Sequence, residues 1–359
     1  MPSEPSSLED RNLLGAQRLV PPAAVKARFA LTDAARDTVS RARTAVRALV
    51  QGDDPGRLLV VVGPCSLHDE DQALFYAQKL KRLADRTDDA LVLLMRTYFE
   101  KPRTTIGWKG LINDPHLDGS CDIALGLSLA RRILLRINEL GVPCATEVLD
   151  PVTPQYLADL LSWAAIGART TESQTHRELA SGLSMPVGFK NGTDGSLATA
   201  ANALVSAGSA HSFLGIDTHG ATAVVRTRGN PDRHLVLRGG HSGPNHGPGP
   251  VGEAAALALE RGIPRGVMID CSHDNSGSDP ARQPEVCRSA LRQLEAGNGS
   301  VLGVMLESHL EAGRQDWVRG ERLRYGVSLT DPCLGWEDTE KLLEEAAERV
   351  RRTRTGRAA

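Results

Sequence analysis

Residues 57–96 read RLLVVVGPCSLHDEDQALFYAQKLKRLADRTDDALVLLMR, and this stretch decides the fold. Two continuously apolar runs, Leu58–Val62 and Ala90–Met95, enclose a segment near 70–85 with a helical pattern. Strands without polar alternation are buried on both faces, which is typical of a parallel sheet covered by helices. The stretch therefore predicts a strand–helix–strand unit with parallel strands.

The same alternation continues along the chain. Further strand-like runs are Val142–Thr146, Trp163–Ala168, Pro186–Phe189, His234–Leu237, Gly266–Asp270 and Val301–Leu306. Helical patterns lie near 122–140, 153–162, 173–182, 196–208, 250–262, 282–297 and 337–352. Eight such units over roughly 300 residues predict an α/β fold, the (β/α)8 TIM barrel, with the doubly wound sheet as the main alternative.

One insertion and one extension interrupt this pattern. Val224-Val225, the turn-rich Arg228–Asp232 and Leu235–Leu237 predict a hairpin inserted before the sixth strand. The charged first 56 residues contain one helical pattern, through Asp33 to Val50. The predicted organisation is an N-terminal helical extension over 1–56, a catalytic barrel over 57–352 and a C-terminal tail over 353–359.

Composition argues against several classes of function. Forty-two Lys and Arg against 44 Asp and Glu leave a net charge of −2, so no overall basic surface for nucleic acid exists. No run of about 20 apolar residues is present, so no membrane-spanning segment is expected. The first residues lack the features of a signal peptide, and the six cysteines form no CxxC pair. We therefore expect a cytoplasmic protein with reduced thiols.

A charged or nucleophilic residue follows each apolar run. In chain order these are Cys65, Arg96, Glu147, Arg169, Lys190, Arg238, His273 and Glu307, with Asp331 in the last loop. In a barrel the carboxyl ends of the strands converge on the face that carries the active site. A single cysteine or histidine at a strand end is more often structural, but a whole ring of such residues indicates a functional pocket.

The ring divides by chemistry into two groups. A thiol, an imidazole and two carboxylates suit a divalent transition metal: Cys65, His273, Glu307 and Asp331. The second group is cationic: Arg96, Arg169, Lys190 and Arg238, extended by Lys101 and Arg103. Such cations are costly unless they meet anions, and pairing with Glu147 and Glu172 neutralises two at most. The residues alone predict a metal-dependent enzyme with phosphorylated substrates.

Several strings of residues carry a family resemblance. In order they are GPCSLHD (63–69), KPRTTIGWKG (101–110), GARTTES (167–173), GFKNGTDG (188–195), LRGG (237–240), DCSH (270–273), ESHL (307–310) and TD (330–331). From about Asp10 to Val350 the chain resembles class I 3-deoxy-D-arabino-heptulosonate 7-phosphate (DAHP) synthases, of the microbial type regulated by aromatic amino acids. The resemblance implies condensation of phosphoenolpyruvate with D-erythrose 4-phosphate and water, the first step of the shikimate pathway.

The resemblance also implies roles for individual residues. A divalent cation (Mn²⁺, Co²⁺, Zn²⁺ or Fe²⁺) would be held by Cys65, His273, Glu307 and Asp331. Phosphoenolpyruvate would be bound by Arg96, Arg169, Lys190 and Arg238, and erythrose 4-phosphate by Lys101, Pro102, Arg103 and Thr104. The implied catalytic residues are Lys101, Cys65, His273 and Glu147.

Regulation and assembly follow from the same resemblance. The extension would serve regulation and oligomerisation, and the chain is expected to be a homodimer or homotetramer. Ser184, Phe213 and Gly215 are expected in an allosteric pocket outside the barrel mouth. Glycine at position 215 favours tyrosine over phenylalanine as the feedback inhibitor, unless Gly215 is only a turn residue after a strand.

The chain departs from the family pattern at four places, the mildest of which is Leu67 where isoleucine is usual. Asp274 replaces a usual alanine beside His273, the loop around His246 differs, and Pro332 follows Asp331. Three alternatives stay open: condensation with another sugar aldehyde, a feedback-insensitive or secondary-metabolism paralogue, and a silent paralogue that binds aromatic amino acids. The intact 101–105 string argues against the first, and the complete ligand set argues against the last.

Overall fold

The strands of the chain close into a ring. A computed structural model describes residues 8–103, 105–264, 266–318 and 322–357. Its strands are Leu58–Gly63 (β1), Leu91–Arg96 (β2), Cys144–Glu147 (β3), Trp163–Ile166 (β4), Val187–Lys190 (β5), Ser212–Ile216 (β6), Thr222–Arg226 (β7), Arg233–Leu237 (β8), Val267–Asp270 (β9) and Val301–Glu307 (β10). All except β6 and β7 form a closed parallel barrel, in which β10 pairs with β1 and Glu307 lies opposite Gly63. The (β/α)8 barrel is confirmed, and the doubly wound alternative is wrong.

Helices cover the outside of this barrel. They are Pro22–Arg28 (α1), Asp33–Gln51 (α2), Glu70–Thr87 (α3), Ile123–Glu139 (α4), Thr153–Leu157 (α5), Gln174–Gly182 (α6), Leu197–Ala207 (α7), Pro248–Glu260 (α8), Gln283–Glu295 (α9) and Trp336–Arg357 (α10). Several of them begin after a polar capping residue. At the start of α3, the Asp69 side chain accepts a hydrogen bond from the Gln72 N–H at 2.8 Å. In the described part of the chain, no helix combines the length and the apolar character needed to cross a membrane.

The core has two layers because side chains alternate across each strand. Leu59 and Val61 of β1 belong to a cluster, with Met305 and Trp163, that fills the inside of the barrel. Leu58, Val60 and Val62 belong to the outer cluster and pack with the helices. Val46, Leu49 and Val50 of α2 join the interior cluster. The α2 helix therefore lies across the amino-terminal end of the barrel and leaves the opposite end for the site.

The N-terminal extension contains two helices rather than the one predicted. The short α1 begins at Pro22, and proline fits the first helical position because no N–H is needed there. The Ala23 N–H donates to the Thr218 carbonyl at 2.8 Å, and Gly220 lies against Pro21. The extension thus contacts the segment between β6 and β7.

The inserted hairpin lies before the sixth barrel strand, as predicted, but its strands were assigned wrongly. β6 and β7 pair with each other in antiparallel register, and Leu235–Leu237 belongs to β8 of the barrel. The physical reason is burial. Leu235–Leu237 is fully buried, as a barrel strand requires, whereas β6 and β7 expose alternate residues, which is typical of a two-stranded surface hairpin.

Candidate active site

A cavity of about 360 Å³ opens at the carboxyl end of the barrel. Most of the residues singled out in the sequence line it: Lys101, Pro102, Arg103, Glu147, Arg169, Lys190, Arg238, His273, Glu307 and Asp331. Arg96 and Cys65 are fully buried beside it, each in contact with a lining residue. Thr104 lies outside the described residues. Residues from all eight barrel units thus meet at one place because parallel strands end on one face.

A thiol and two carboxylates form the tightest cluster at this cavity. One ligand atom each from Cys65, Glu307 and Asp331 lies within 4.8 Å of the others. The Cys65 Sγ is 3.2 Å from Asp331 Oδ2 and 3.0 Å from Lys101 Nζ. Burial and the Glu307 charge raise the pKa of the Cys65 thiol to about 12. This set of one soft and two hard donors, in which Cys65 and Glu307 are buried and Asp331 is exposed, fits a divalent transition metal, whose charge would favour the thiolate.

His273 lines the same cavity but is not part of that 4.8 Å cluster. Its Nδ1 lies 3.1 Å from Asp270 Oδ2 and 2.6 Å from Ser272 Oγ. Hydrogen bonding at Nδ1 fixes the ring and leaves Nε2 as the available ligand nitrogen, as is usual for metal-binding histidines. His273 also has a positive φ of 57°, a strained conformation that is typical of functional sites.

Of the four cations at the strand ends, Arg96, Lys190 and Arg238 have acidic partners. Arg96 donates to Glu307 Oε1 at 3.0 Å, and its guanidinium stacks 3.9 Å from the centre of the Tyr98 ring. Lys190 Nζ lies 2.9 Å from Asp270 Oδ2. Arg238 donates to Asp274. Burial opposes the charge of Lys190, but the Asp270 carboxylate raises the pKa of that ammonium group above its usual value.

The two cations nearer to solvent, Arg103 and Arg169, are not engaged in ion pairs within the described part of the chain. Among the described residues, Arg103 and Arg169 have no acidic group within 4.0 Å, and both are exposed. The Arg103 guanidinium folds over Gly107, where a Cβ would lie 2.7 Å from its Nε. These two groups are therefore available to an anionic ligand that enters the cavity.

Asp270, which received no role from the sequence, lies among the residues of the candidate site. It ends β9, is fully buried, and its carboxylate contacts Lys190, His273 and Ser272. Burial opposes ionisation, but Lys190 and His273 hold the pKa of Asp270 well below its usual value. The sequence did contain a signal for it, namely an acid at the end of the otherwise apolar Val267–Asp270. A buried charge requires a partner, so such an acid indicates a contact with a cation.

The three residues expected in an allosteric pocket lie outside the barrel mouth. Phe213 and Gly215 are in β6, opposite Val225 and Ala223 of β7, so Gly215 is a strand residue and not a turn residue. Ser184 follows α6. Ser181 Oγ, near the end of that helix, lies 2.6 Å from Thr227 Oγ1, just after β7. The end of α6 and the hairpin therefore contact each other.

Comparison with known proteins gives the family. The model of the DAHP synthetase I family matches residues 35–344. The chain is 50% identical to the Tyr-sensitive phospho-2-dehydro-3-deoxyheptonate aldolase of Escherichia coli (strain K12), over 98% of this chain and 99% of that one. It is 51% identical to the Phe-sensitive enzyme of the same strain, over 96% and 98% of the two chains. A solved phospho-2-dehydro-3-deoxyheptonate aldolase from Francisella tularensis SCHU S4 superposes with a TM-score of 0.92 at 46% identity, over 94% and 98%. The chain therefore belongs to the DAHP synthetase I family.

Proposed function

We propose that this chain is a 3-deoxy-7-phosphoheptulonate synthase, an enzyme that condenses phosphoenolpyruvate with D-erythrose 4-phosphate and water. The products are DAHP and inorganic phosphate, at the first step of aromatic biosynthesis. The observation that carries the proposal is one cavity in which Arg103, Arg169, Lys190 and Arg238 surround a thiol–carboxylate cluster. Two phosphorylated substrates repel each other, so holding them side by side is the main task of such a site.

The cations divide between the two substrates by their position. Arg96, Arg169, Lys190 and Arg238 lie at or after the carboxyl ends of barrel strands and would hold the carboxylate and phosphate of phosphoenolpyruvate. Lys101, Pro102 and Arg103 belong to the loop after β2 and, together with Thr104, would hold erythrose 4-phosphate. Two groups of cations on different segments suit two separate polyanions.

Cys65, Glu307 and Asp331, with Nε2 of His273, would hold the divalent cation of this family. A bound divalent cation supplies Lewis acidity that polarises a carbonyl oxygen. Lys101 lies beside this cluster, 3.8 Å from Asp331, and neighbouring Cys65, Glu307 and Asp331 raise its pKa although burial opposes its charge. Lys101 is therefore protonated at neutral pH and can donate a proton to an oxygen that becomes negative.

The reaction then follows from the chain's own groups. The C3 carbon of phosphoenolpyruvate attacks the aldehyde carbon, a C–C bond forms, and Lys101 protonates the new alkoxide. Water adds to the cationic C2 and gives a proton to Glu147, whose carboxylate packs against Gly167 in the cavity wall. The C2–O bond to the phosphoryl group breaks, the departing phosphate takes the proton of the C2 hydroxyl, and the ketone forms.

The direct test is phosphate release by the purified protein. We expect turnover with phosphoenolpyruvate and erythrose 4-phosphate, and at least about a hundredfold lower kcat/KM with a five-carbon sugar phosphate. The longer sugar would change the distance between its aldehyde and its phosphate, and with it the contacts proposed for Lys101 and Arg103. Equal turnover with both aldehydes would favour the alternative sugar specificity. No turnover with either would favour the silent paralogue.

The division of the cavity predicts separable effects of two arginine substitutions. Arg169→Ala should weaken phosphoenolpyruvate and Arg103→Ala should weaken erythrose 4-phosphate, each by about 2–4 kcal/mol, since each removes a partner from a partly desolvated charge pair. The measurement is KM for both substrates in both variants. Equal loss for the two substrates in either variant would show that the proposed division is wrong.

We also propose feedback inhibition by tyrosine, at a site that includes Ser184, Phe213 and Gly215. Relatives are named for sensitivity to aromatic amino acids, which supports an aromatic inhibitor of some kind. A Cβ on Gly215 would lie 2.8 Å from Val225 Cγ2, so a larger residue there would have to displace the Val225 side chain. A change in side-chain size at this position would therefore alter the shape of the proposed site, and the smallest residue suits the larger inhibitor, tyrosine.

The corresponding prediction concerns inhibitor choice. Initial rates should fall more with tyrosine than with phenylalanine or tryptophan, and Gly215→Ser should shift the preference toward phenylalanine by about tenfold, the scale of one hydroxyl-sized change. Stronger inhibition of the parent protein by phenylalanine would contradict the choice of tyrosine. A parent protein that responds to none of the three would be a feedback-insensitive paralogue.

Assembly into a homodimer or homotetramer is part of the same proposal. Leu214 and Val224 on the hairpin are 80% and 63% exposed, and Leu14 in the extension is fully exposed. Exposed apolar side chains on two segments that touch each other support a contact between subunits. Sedimentation of the full chain measures this state directly.

A further inference from the structure

One of the residues that depart from the family pattern contacts a cation of the active-site cavity. Asp274 follows His273 in the turn after β9, and its carboxylate accepts a hydrogen bond from Arg238 Nη1. The Arg238 side chain is 11% exposed and lines the cavity, whereas the Asp274 side chain is 35% exposed. An acid therefore occupies one edge of a guanidinium that faces the substrate space.

This pair differs from the ion pairs that Arg96 and Lys190 form. Glu307 and Asp270, the partners of Arg96 and Lys190, are almost fully buried beneath the cavity and offset buried charges. Asp274 is different, because its own side chain is 35% exposed and stays in contact with water while it pairs with Arg238. A carboxylate at the rim of the cavity competes with any other anion for the guanidinium that it contacts.

The local backbone does not depend on the Asp274 side chain. The Arg238 N–H donates to Asn191 Oδ1 at 2.9 Å, and the Gly239 N–H donates to Asn245 Oδ1 at 2.7 Å. The turn is fixed by Asn275, whose side chain donates to the Leu237 and Asp270 carbonyls at 3.0 and 2.8 Å. Substitution of Asp274 should therefore change the charge at Arg238 without unfolding the turn.

We infer that Asp274 is a specificity-determining residue that lowers the affinity of this chain for phosphoenolpyruvate by competing for Arg238. The inference rests on the proposed function, because it takes phosphoenolpyruvate as the anion that Arg238 binds. A bound carboxylate or phosphate on the free edge of Arg238 lies within a few ångströms of the Asp274 carboxylate. The two negative charges repel each other, and both draw on the single positive charge of one guanidinium.

Equilibrium binding tests the inference independently of turnover. Phosphoenolpyruvate, inorganic phosphate and pyruvate are titrated by calorimetry into the full chain in the presence of chelator, so that altered metal binding cannot contribute. Asp274→Ala and Asp274→Asn should bind phosphoenolpyruvate about three- to tenfold more tightly, the scale of one nearby charge near a protein surface. A parallel gain for phosphate or for pyruvate identifies which anionic group meets Arg238.

Two further variants separate charge competition from general effects. Asp274→Glu keeps the carboxylate and should restore the affinity of the parent. Asp279→Asn removes one charge from the same loop, at an exposed residue that bonds only to its own turn, and should change affinity by less than about twofold. Unchanged or weaker binding of phosphoenolpyruvate by Asp274→Ala, or an equal gain in Asp279→Asn, would overturn the inference.

Steady-state kinetics complete the test. Asp274→Ala should lower KM for phosphoenolpyruvate and strengthen inhibition by phosphate, with KM for erythrose 4-phosphate unchanged. If the parent protein shows no turnover of phosphoenolpyruvate with either sugar phosphate, the proposed function fails. The titrations would still test whether Asp274 competes for Arg238. If the parent turns over and the titrations show no gain, only the inference about Asp274 fails.

Discussion

Replacing Cys65 by alanine should lower metal-dependent turnover by at least about a hundredfold, more than the loss expected for a residue that only supports a ligand. The Cys65 Sγ is the soft donor in the 4.8 Å cluster with Glu307 and Asp331, and a methyl group cannot replace a thiolate. Chelation of the parent protein should give the same loss, and Mn²⁺, Co²⁺ or Zn²⁺ should restore activity to the parent but not to the variant.

The matched control is Cys121→Ala, which removes an exposed thiol in the loop after β2. It should leave both turnover and bound metal unchanged. Metal content measured on the dialysed proteins separates loss of the ion from loss of fold. Full activity of Cys65→Ala in excess chelator would rule out the assignment of Cys65 as a ligand.

Replacing Asp270 by asparagine should both destabilise the protein and inactivate it. The side chain is fully buried, and loss of its charge leaves the buried Lys190 ammonium without its partner at 2.9 Å. Breaking a buried pair in this way costs about 3–5 kcal/mol of the free energy of unfolding. The same change removes the carboxylate that orients His273, so kcat/KM should fall by about a hundredfold.

An ion pair between a buried arginine and a partly buried carboxylate supplies the control for this experiment. Asp159 bonds to the buried Arg131 at 2.7 Å on the outside of the barrel. Asp159→Asn should lower the free energy of unfolding without changing kcat/KM, as measured by denaturant titration and initial rates. An Asp270→Asn protein with the stability and turnover of the parent would contradict the proposal that Asp270 stabilises Lys190 and orients His273.

The fold was predictable because burial leaves a direct mark on sequence. Each barrel strand is covered on both sides, so most of its residues are apolar, and each of the eight apolar runs overlaps a barrel strand. The hairpin was harder because β6 and β7 are short and half exposed, and Leu235–Leu237 offered a more apolar partner for Val224-Val225. The seven-residue α1 is too short to show a clear helical period.

The sequence was sufficient to predict which residues meet at the site, but not which of them pair with each other. Parallel strands end on one face, which brings the strand-end residues together whatever the loops do. The contacts of Asp270 and Asp274 depend on the loop after β9, where His273 has a positive φ and a Cβ on Gly239 would lie 2.7 Å from Asp274 Cβ. No pattern in the sequence encodes that conformation.

Closure of the barrel between β1 and β10 has a consequence for biosynthesis of the protein. Cys65 and Asp331, whose side chains are 3.2 Å apart, are separated by 266 positions along the chain. The cluster cannot assemble on the ribosome until nearly the whole polypeptide has emerged, because its last member lies in the loop before the final helix. Enzymatic activity is thus a stringent reporter of complete folding, and fragments that end before Asp331 should be inert even when their helices and strands have formed.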